Sequence, residues 1–217
     1  RILWGVDFDV VRPAAARSFR AGLGFGDTDV VFFSPRSYTQ PYYNIDTIVG
    51  VVPAVLRARP NTHFIFAGNE GDDAAIRALA GRLGIDGRAH FVGRIPHDDL
   101  PAYLAASDVF VTVPSVDATA VSLLEAMACG TPVIASSLAS ALEWVKDGES
   151  GLVVPPRDGP ALEAAVLRLI DSPDLRAAVG ARAAAIVRER ADHGTHMAAM
   201  ERLCEELVER GRPGRER

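Results

Sequence analysis

Apolar residues in this chain fall into short solid runs, separated by longer stretches in which they recur every three or four positions. Solid β-branched and aromatic runs predict strands buried on both faces, and the spaced stretches predict helices with one apolar side. The strand runs are residues 1–6 (RILWGV), 30–34 (VVFFS), 63–67 (HFIFA), 89–92 (AHFV), 108–113 (DVFVTV), 132–135 (PVIA) and 151–154 (GLVV). Helices are predicted over 12–23, 45–59, from Asp72 or Asp73 to 83, 101–106, from Thr119 or Ser122 to Gly130, 140–146, 160–170, 173–190 and 195–209. Pro53 should kink or split the second of these. Asp72, Asp73, Asp98 and Asp99 precede helices and read as caps. Alternation of strand and helix from 30 to 154 predicts parallel strands with right-handed crossovers, hence an α/β doubly wound sheet followed by three consecutive helices.

Length adds one bound: 217 residues suit a single domain over 1–217. The hydrophobic share of 48% is enough for a sizeable core. A net charge of −5, with no basic stripe, argues against nucleic acid as the main partner. Cys129 and Cys204 form neither a disulfide framework nor a metal cluster and fit free thiols in a reducing cytoplasm. No run of 18 apolar residues is present, so no membrane span is expected. Arg1 stands inside an apolar run in place of an initiator Met, which fits a piece of a longer protein and leaves any targeting signal unread.

Candidate chemistry concentrates in residues 107–136, SDVFVTVPSVDATAVSLLEAMACGTPVIAS. The stretch reads as strand, loop, helix, strand, with Val121, Leu124 and Met127 forming the apolar side of its helix. The loop lies at the carboxyl end of one strand and the amino end of a helix. Unpaired N–H groups and the helix dipole make such a place attractive to anions. Ala118, Thr119 and Ala120 are small enough to let a phosphate or sugar approach the backbone. Asp117 and, eight residues later, Glu125 offer carboxylates to sugar hydroxyls; Glu125 is placed about two turns into the helix. The combination suits a ligand with anionic and polyol parts, as in a nucleotide sugar. A surface Asp and a helix-face Glu of an ordinary α/β unit fit the same spacing. Residues 35–44 (PRSYTQPYYN) form a second loop after a strand, where Tyr38, Tyr42 and Tyr43 either stack on a ligand or cover the sheet edge.

Five stretches together resemble the family 4 retaining glycosyltransferases of the GT-B fold. They are GVDFDV at 5–10, FAGNEG at 66–71, HFVGRIPHDDLPAYLAASDVFVTVPS at 90–115, EAMACGTPVIAS at 125–136 and EWVKDGESGLVVPPRD at 143–158. The likeness covers nearly the whole chain, and it is to the second, donor-binding half of such enzymes. It implies a Rossmann-like doubly wound sheet with extra C-terminal helices, and an acceptor-binding N-terminal half outside these residues. The family's Glu-x7-Glu signature falls on Asp117 and Glu125. The resemblance gives Glu125 to the nucleotide ribose and Asp117 to hydroxyls of the transferred sugar. Ala118, Thr119 and Ala120 replace the usual Gly-Phe-Gly, and their amides, with Val121 beside them, would face sugar and diphosphate. Arg36 matches the Arg of a diphosphate clamp. The accompanying Lys falls on Asn44, an alignment that the longer loop leaves open. The base would lie against the turn from Gly93 to Ile95, using the backbone of Ile95.

The implied reaction is metal-independent transfer with retained anomeric configuration, with no cofactor and with Asp117 and Arg36 as candidate catalytic residues. The implied partner is a nucleotide-sugar donor, the acceptor being bound mainly by the other half. Such a half alone would bind donor without transferring sugar. The expected setting is cytoplasmic, with room for peripheral docking at a membrane, although Glu interleaved with Arg in the last helices favours a solvated face. Two other functions stay open: a non-catalytic nucleotide-sugar binding module, and another GT-B enzyme such as a nucleotide-sugar epimerase. His193 with His196 lacks a third metal ligand, and Asp7 with Asp9 reads as a turn. Cys129 reads as packed and unreactive.

Overall fold

The computed structural model describes residues 5–11, 16–68, 73–118 and 120–211. The expected strand at 1–6, the helix at 12–23, a turn expected at 68–71, Thr119 and the frayed tail expected at 211–217 lie wholly or partly outside them. Six parallel strands form one sheet: β1 (Val30–Pro35), β2 (Thr62–Ala67), β3 (Ala89–Gly93), β4 (Val109–Thr112), β5 (Val133–Ser136) and β6 (Leu152–Val154). Their spatial order is β3-β2-β1-β4-β5-β6. The order reverses between β1 and β4, and a doubly wound sheet binds ligands beyond the strand ends at such a point.

The strands alternate their side chains between two apolar layers. Phe32, Phe64, Phe66, Val111 and Ile134 face one, packed against helices α2 (Ile45–Ala58), α3 (Ala74–Arg82) and α7 (Gly159–Asp171). Val31, Phe33, Ile65, Phe110 and Val133 face the other, packed against α4 (Leu100–Ala106), α5 (Val121–Ala128) and α8 (Pro173–Arg190). Burial on both faces is why these strands read as solid apolar runs and not as alternating ones. Helix α1 (Ala16–Gly22) packs beside α4, α6 is Ala139–Leu142, and α9 is His193–Gly211. Near the start of the chain, Val6 pairs with Asp192, its N–H donating to the Ala191 carbonyl at 2.7 Å.

Several expectations change. Pro53 sits inside α2, which runs unbroken on either side of it. The helix expected over 140–146 has its last helical residue at Leu142, and the backbone then turns through Trp144 and Val145, which bury their side chains. Neither Asp73 nor Asp99 caps with its side chain; Asp73 instead pairs with Arg77 one turn along, at 2.5 Å. The residue before α5 is Ala120, so Ser122 is already inside the helix. Val121 is 37% exposed and lies off the apolar side, which Leu123, Leu124 and Met127 form. Gly130, at φ +74°, closes the helix as expected, a conformation that favours glycine.

Candidate functional site

The carboxyl ends of β1, β2 and β3 open onto a cavity of about 350 Å³. Pro35 and Ala67 end two of those strands, Arg94 and Ile95 follow the third, and Ser122 and Glu125 enter from α5. Gly93 makes the turn possible. It sits at φ +70°, and its carbonyl accepts the Gly68 N–H at 2.9 Å. The irregular β2–β3 register here pairs Ala67 with Gly93.

Glu125 is the fifth residue of α5, one turn in and not two, and only 5% exposed. A buried carboxylate is costly without a donor. His97 supplies one, its Nε2 lying 2.7 Å from Oε1 of Glu125. His97 belongs to a 3₁₀ turn, His97–Asp99, that leads into α4, and it too lines the cavity. Arg94 is exposed at the rim and has no hydrogen-bond or ion-pair partner among the described residues.

Asp117 lies elsewhere. Its Oδ2 pairs with the Arg36 guanidinium at 2.9 Å, with both side chains largely buried. Arg36 also reaches Oγ1 of Thr112 at 3.3 Å and lies over the Tyr43 ring, 5.0 Å from its centroid. Around Asp117, Ala120, Ser136 and Ser140 enclose a space of only about 10 Å³. Asp117 borders this small space, and Glu125 borders the cavity of about 350 Å³. The ion pair turns the Asp117 carboxylate toward Arg36, while helix geometry commits Glu125 to the β3 side. Ala118 is exposed and Ala120 half-buried at the start of α5, and Thr119 lies outside the described residues.

Asn44 does not stand in for the clamp lysine. It is fully buried, and its amide donates to the Val113 carbonyl and to Oγ of Ser115, both at 2.8 Å. At φ +54° it turns the chain into α2 and ties that turn to the loop after β4. The tyrosines also resolve. Tyr38 covers the sheet edge: it donates to the Phe66 carbonyl at 2.7 Å, packs on Gly68, and burial pushes its phenol up to about 12. Tyr43 supports Arg36, and Tyr42 is 39% exposed. Burial, with the Glu125 charge nearby, pushes the Cys129 thiol up to about 11, which disfavours its thiolate at neutral pH.

His97 and Ser122 were not foreseen. Ser122 stands three residues before Glu125 on one helix, a spacing that places both on one side and could have flagged it. His97 gave no local signal, because its partner is 28 residues away. Among the described residues, no group of three His, Cys, Asp or Glu is placed to hold a metal ion, and no helix is long and apolar enough to cross a membrane.

Residues 17–185 match the family described as Glycosyl transferases group 1. The chain belongs to that family. A GDP-mannose-dependent monoacylated alpha-(1-6)-phosphatidylinositol monomannoside mannosyltransferase of Corynebacterium glutamicum is 33% identical over 188 residues, covering 82% of this group 1 chain and 48% of that protein. The chain spans about half the length of the curated relatives it matches. Among solved structures, sucrose-phosphate synthase from Thermosynechococcus elongatus superposes with a TM-score of 0.87 at 26% identity, covering 97% of this chain and 53% of that one. The Anabaena protein HepE, crystallised with UDP and glucose, gives 0.85 at 22% identity over 94% of this chain and 56% of its own, a likeness of fold. The doubly wound sheet is thus the group 1 glycosyl transferase fold.

Proposed function

We propose that this chain is the donor-binding domain of a retaining glycosyltransferase, acting with an acceptor-binding half supplied by the rest of a longer polypeptide. One observation carries the reading: the buried Glu125 carboxylate lines a cavity of about 350 Å³ beyond the carboxyl ends of β1 to β3. That volume suits a nucleoside, and a carboxylate is the acceptor that paired ribose hydroxyls require. The mannosyltransferase relative is named for GDP-mannose, and HepE holds UDP and glucose. These names support a nucleotide-sugar donor and leave its base to experiment.

In the proposed reaction the bond from the anomeric carbon to a phosphate oxygen breaks as an acceptor hydroxyl oxygen bonds that carbon on the same face, its proton passing to the departing diphosphate, on which charge grows as the bond breaks. Arg36 and the amino end of α5 supply positive potential for that charge. A diphosphate would compete with Asp117 for the Arg36 guanidinium, leaving the carboxylate free to hold hydroxyls of the sugar. Neither a metal nor a cofactor is needed in this scheme. The backbone of Ile95 would meet the base.

The test is a thermal-shift panel of GDP, UDP, ADP and their sugars, followed by a transfer assay with the full-length polypeptide. A nucleotide and its sugar should raise Tm, and Asp117→Ala should abolish transfer while leaving nucleotide binding largely intact. Equal turnover in the variant would remove Asp117 from the chemistry. Binding without turnover in the unaltered protein would leave a nucleotide-sugar binding module, and release of a free epimerised sugar would make it an epimerase.

A further inference from the structure

We propose that His97 is a positioning residue for Glu125, and that it sets the domain's preference for ribose over deoxyribose nucleotides. The inference rests on the donor-binding reading of the Glu125 cavity and extends it to a residue no sequence motif assigns. Three observations meet. Glu125 is 5% exposed, and its contact with His97 at 2.7 Å is its one side-chain hydrogen bond among the described residues. The His97 side chain is 62% exposed, so burial does not hold it in place. Both residues line the same cavity.

The turn that carries His97 is stiff for local reasons. Pro96 precedes it and Pro101 follows, each with its φ fixed by the ring. The Asp99 N–H closes the turn on the Pro96 carbonyl at 3.1 Å. Leu100, 6% exposed, anchors it in the core beneath the cavity. A stiff donor on one oxygen fixes the plane of a carboxylate that could otherwise rotate about its last torsion, which is broad. The remaining lone pairs then stand ready for two neighbouring hydroxyls. Preorganisation of this kind sharpens discrimination more than raw affinity, because an acceptor already in place gains nothing from a sugar that lacks one hydroxyl.

The test measures Kd for GDP and UDP and for their 2′-deoxy forms by titration calorimetry, using the full-length polypeptide. Charge-assisted bonds to one hydroxyl predict a ribose preference of about ten-fold or more. His97→Ala should bring the ratio to within about three-fold, chiefly by weakening the ribonucleotide, and His97→Gln, which keeps an N–H donor, should restore part of it. Urea midpoints of the variants check folding. A ratio unchanged in His97→Ala would overturn the role, as would a loss of stability with no change in ratio. If Glu125→Gln loses the preference while His97→Ala keeps it, only the role of His97 fails. If the unaltered protein shows no ribose preference, this role and the ribose reading fail together.

Discussion

The Arg36–Asp117 pair can be weighed against its own environment. Replacing each residue by Ala, singly and together, isolates their coupling. The partners are 2.9 Å apart, with side chains 12% and 16% exposed. At an effective permittivity near 20 the Coulomb attraction at that separation is about 6 kcal/mol. Desolvation offsets part of that, and pairs at the surface reach only about 0.2–1 kcal/mol. Near-burial places this one between, at a coupling of about 2 kcal/mol. Arg36→Ala should cost more than the coupling, about 3 kcal/mol, since it also loses the Thr112 bond and the stacking on Tyr43. Asp117→Ala should cost about 2 kcal/mol, because Thr112 and Tyr43 still hold the guanidinium. Urea unfolding of the four proteins gives the cycle, and repeating it at saturating GDP shows whether a diphosphate takes over Arg36, in which case the coupling should fall below about 1 kcal/mol. A coupling under about 0.5 kcal/mol without nucleotide, within the error of additivity, would refute the claim that this pair holds Asp117.

Three further outcomes are expected. Asn44→Lys should lower stability by about 3 kcal/mol or more, since it replaces two buried N–H bonds with an unpaired ammonium at positive φ; a Tm at or above the parent's would contradict this. Gly180→Ala would set a Cβ 2.3 Å from the Gly130 carbonyl oxygen, where α8 crosses the end of α5, and should cost about 1–3 kcal/mol in chemical denaturation, with an unchanged urea midpoint counting against that packing. Burial, and next the Arg88 charge, hold His63 at about 4 against an ordinary 6.5, so its neutral form is favoured in the fold. Its contribution is whole above pH 6.5 and is lost as pH falls toward 4. The stability difference between pH 7 and pH 4.5 should therefore be about 2 kcal/mol larger in the parent than in His63→Gln, and parallel pH profiles would refute it.

The sequence by itself determined the fold class and the place of the loops. Runs such as VVFFS and HFIFA are apolar at four of five positions, with no polar alternation, which fits a strand covered on both faces, and their alternation with helices forces parallel crossovers. It also located Arg36, Ile95 and Asp117 in loops that follow strands, because the strand boundaries were legible, and Glu125 in the helix after the third of those loops. What it could not decide was which of these share a cavity. That depended on contacts between residues far apart in the chain: Arg36 with Asp117 across 81 positions, Asn44 with Val113 across 69, His97 with Glu125 across 28. A motif read along the chain treats Asp117 and Glu125 as one device. In three dimensions each carboxylate is claimed by the nearest donor on another element, since a largely buried charge must be paired where it stands, and only the tertiary structure determines which donor that is.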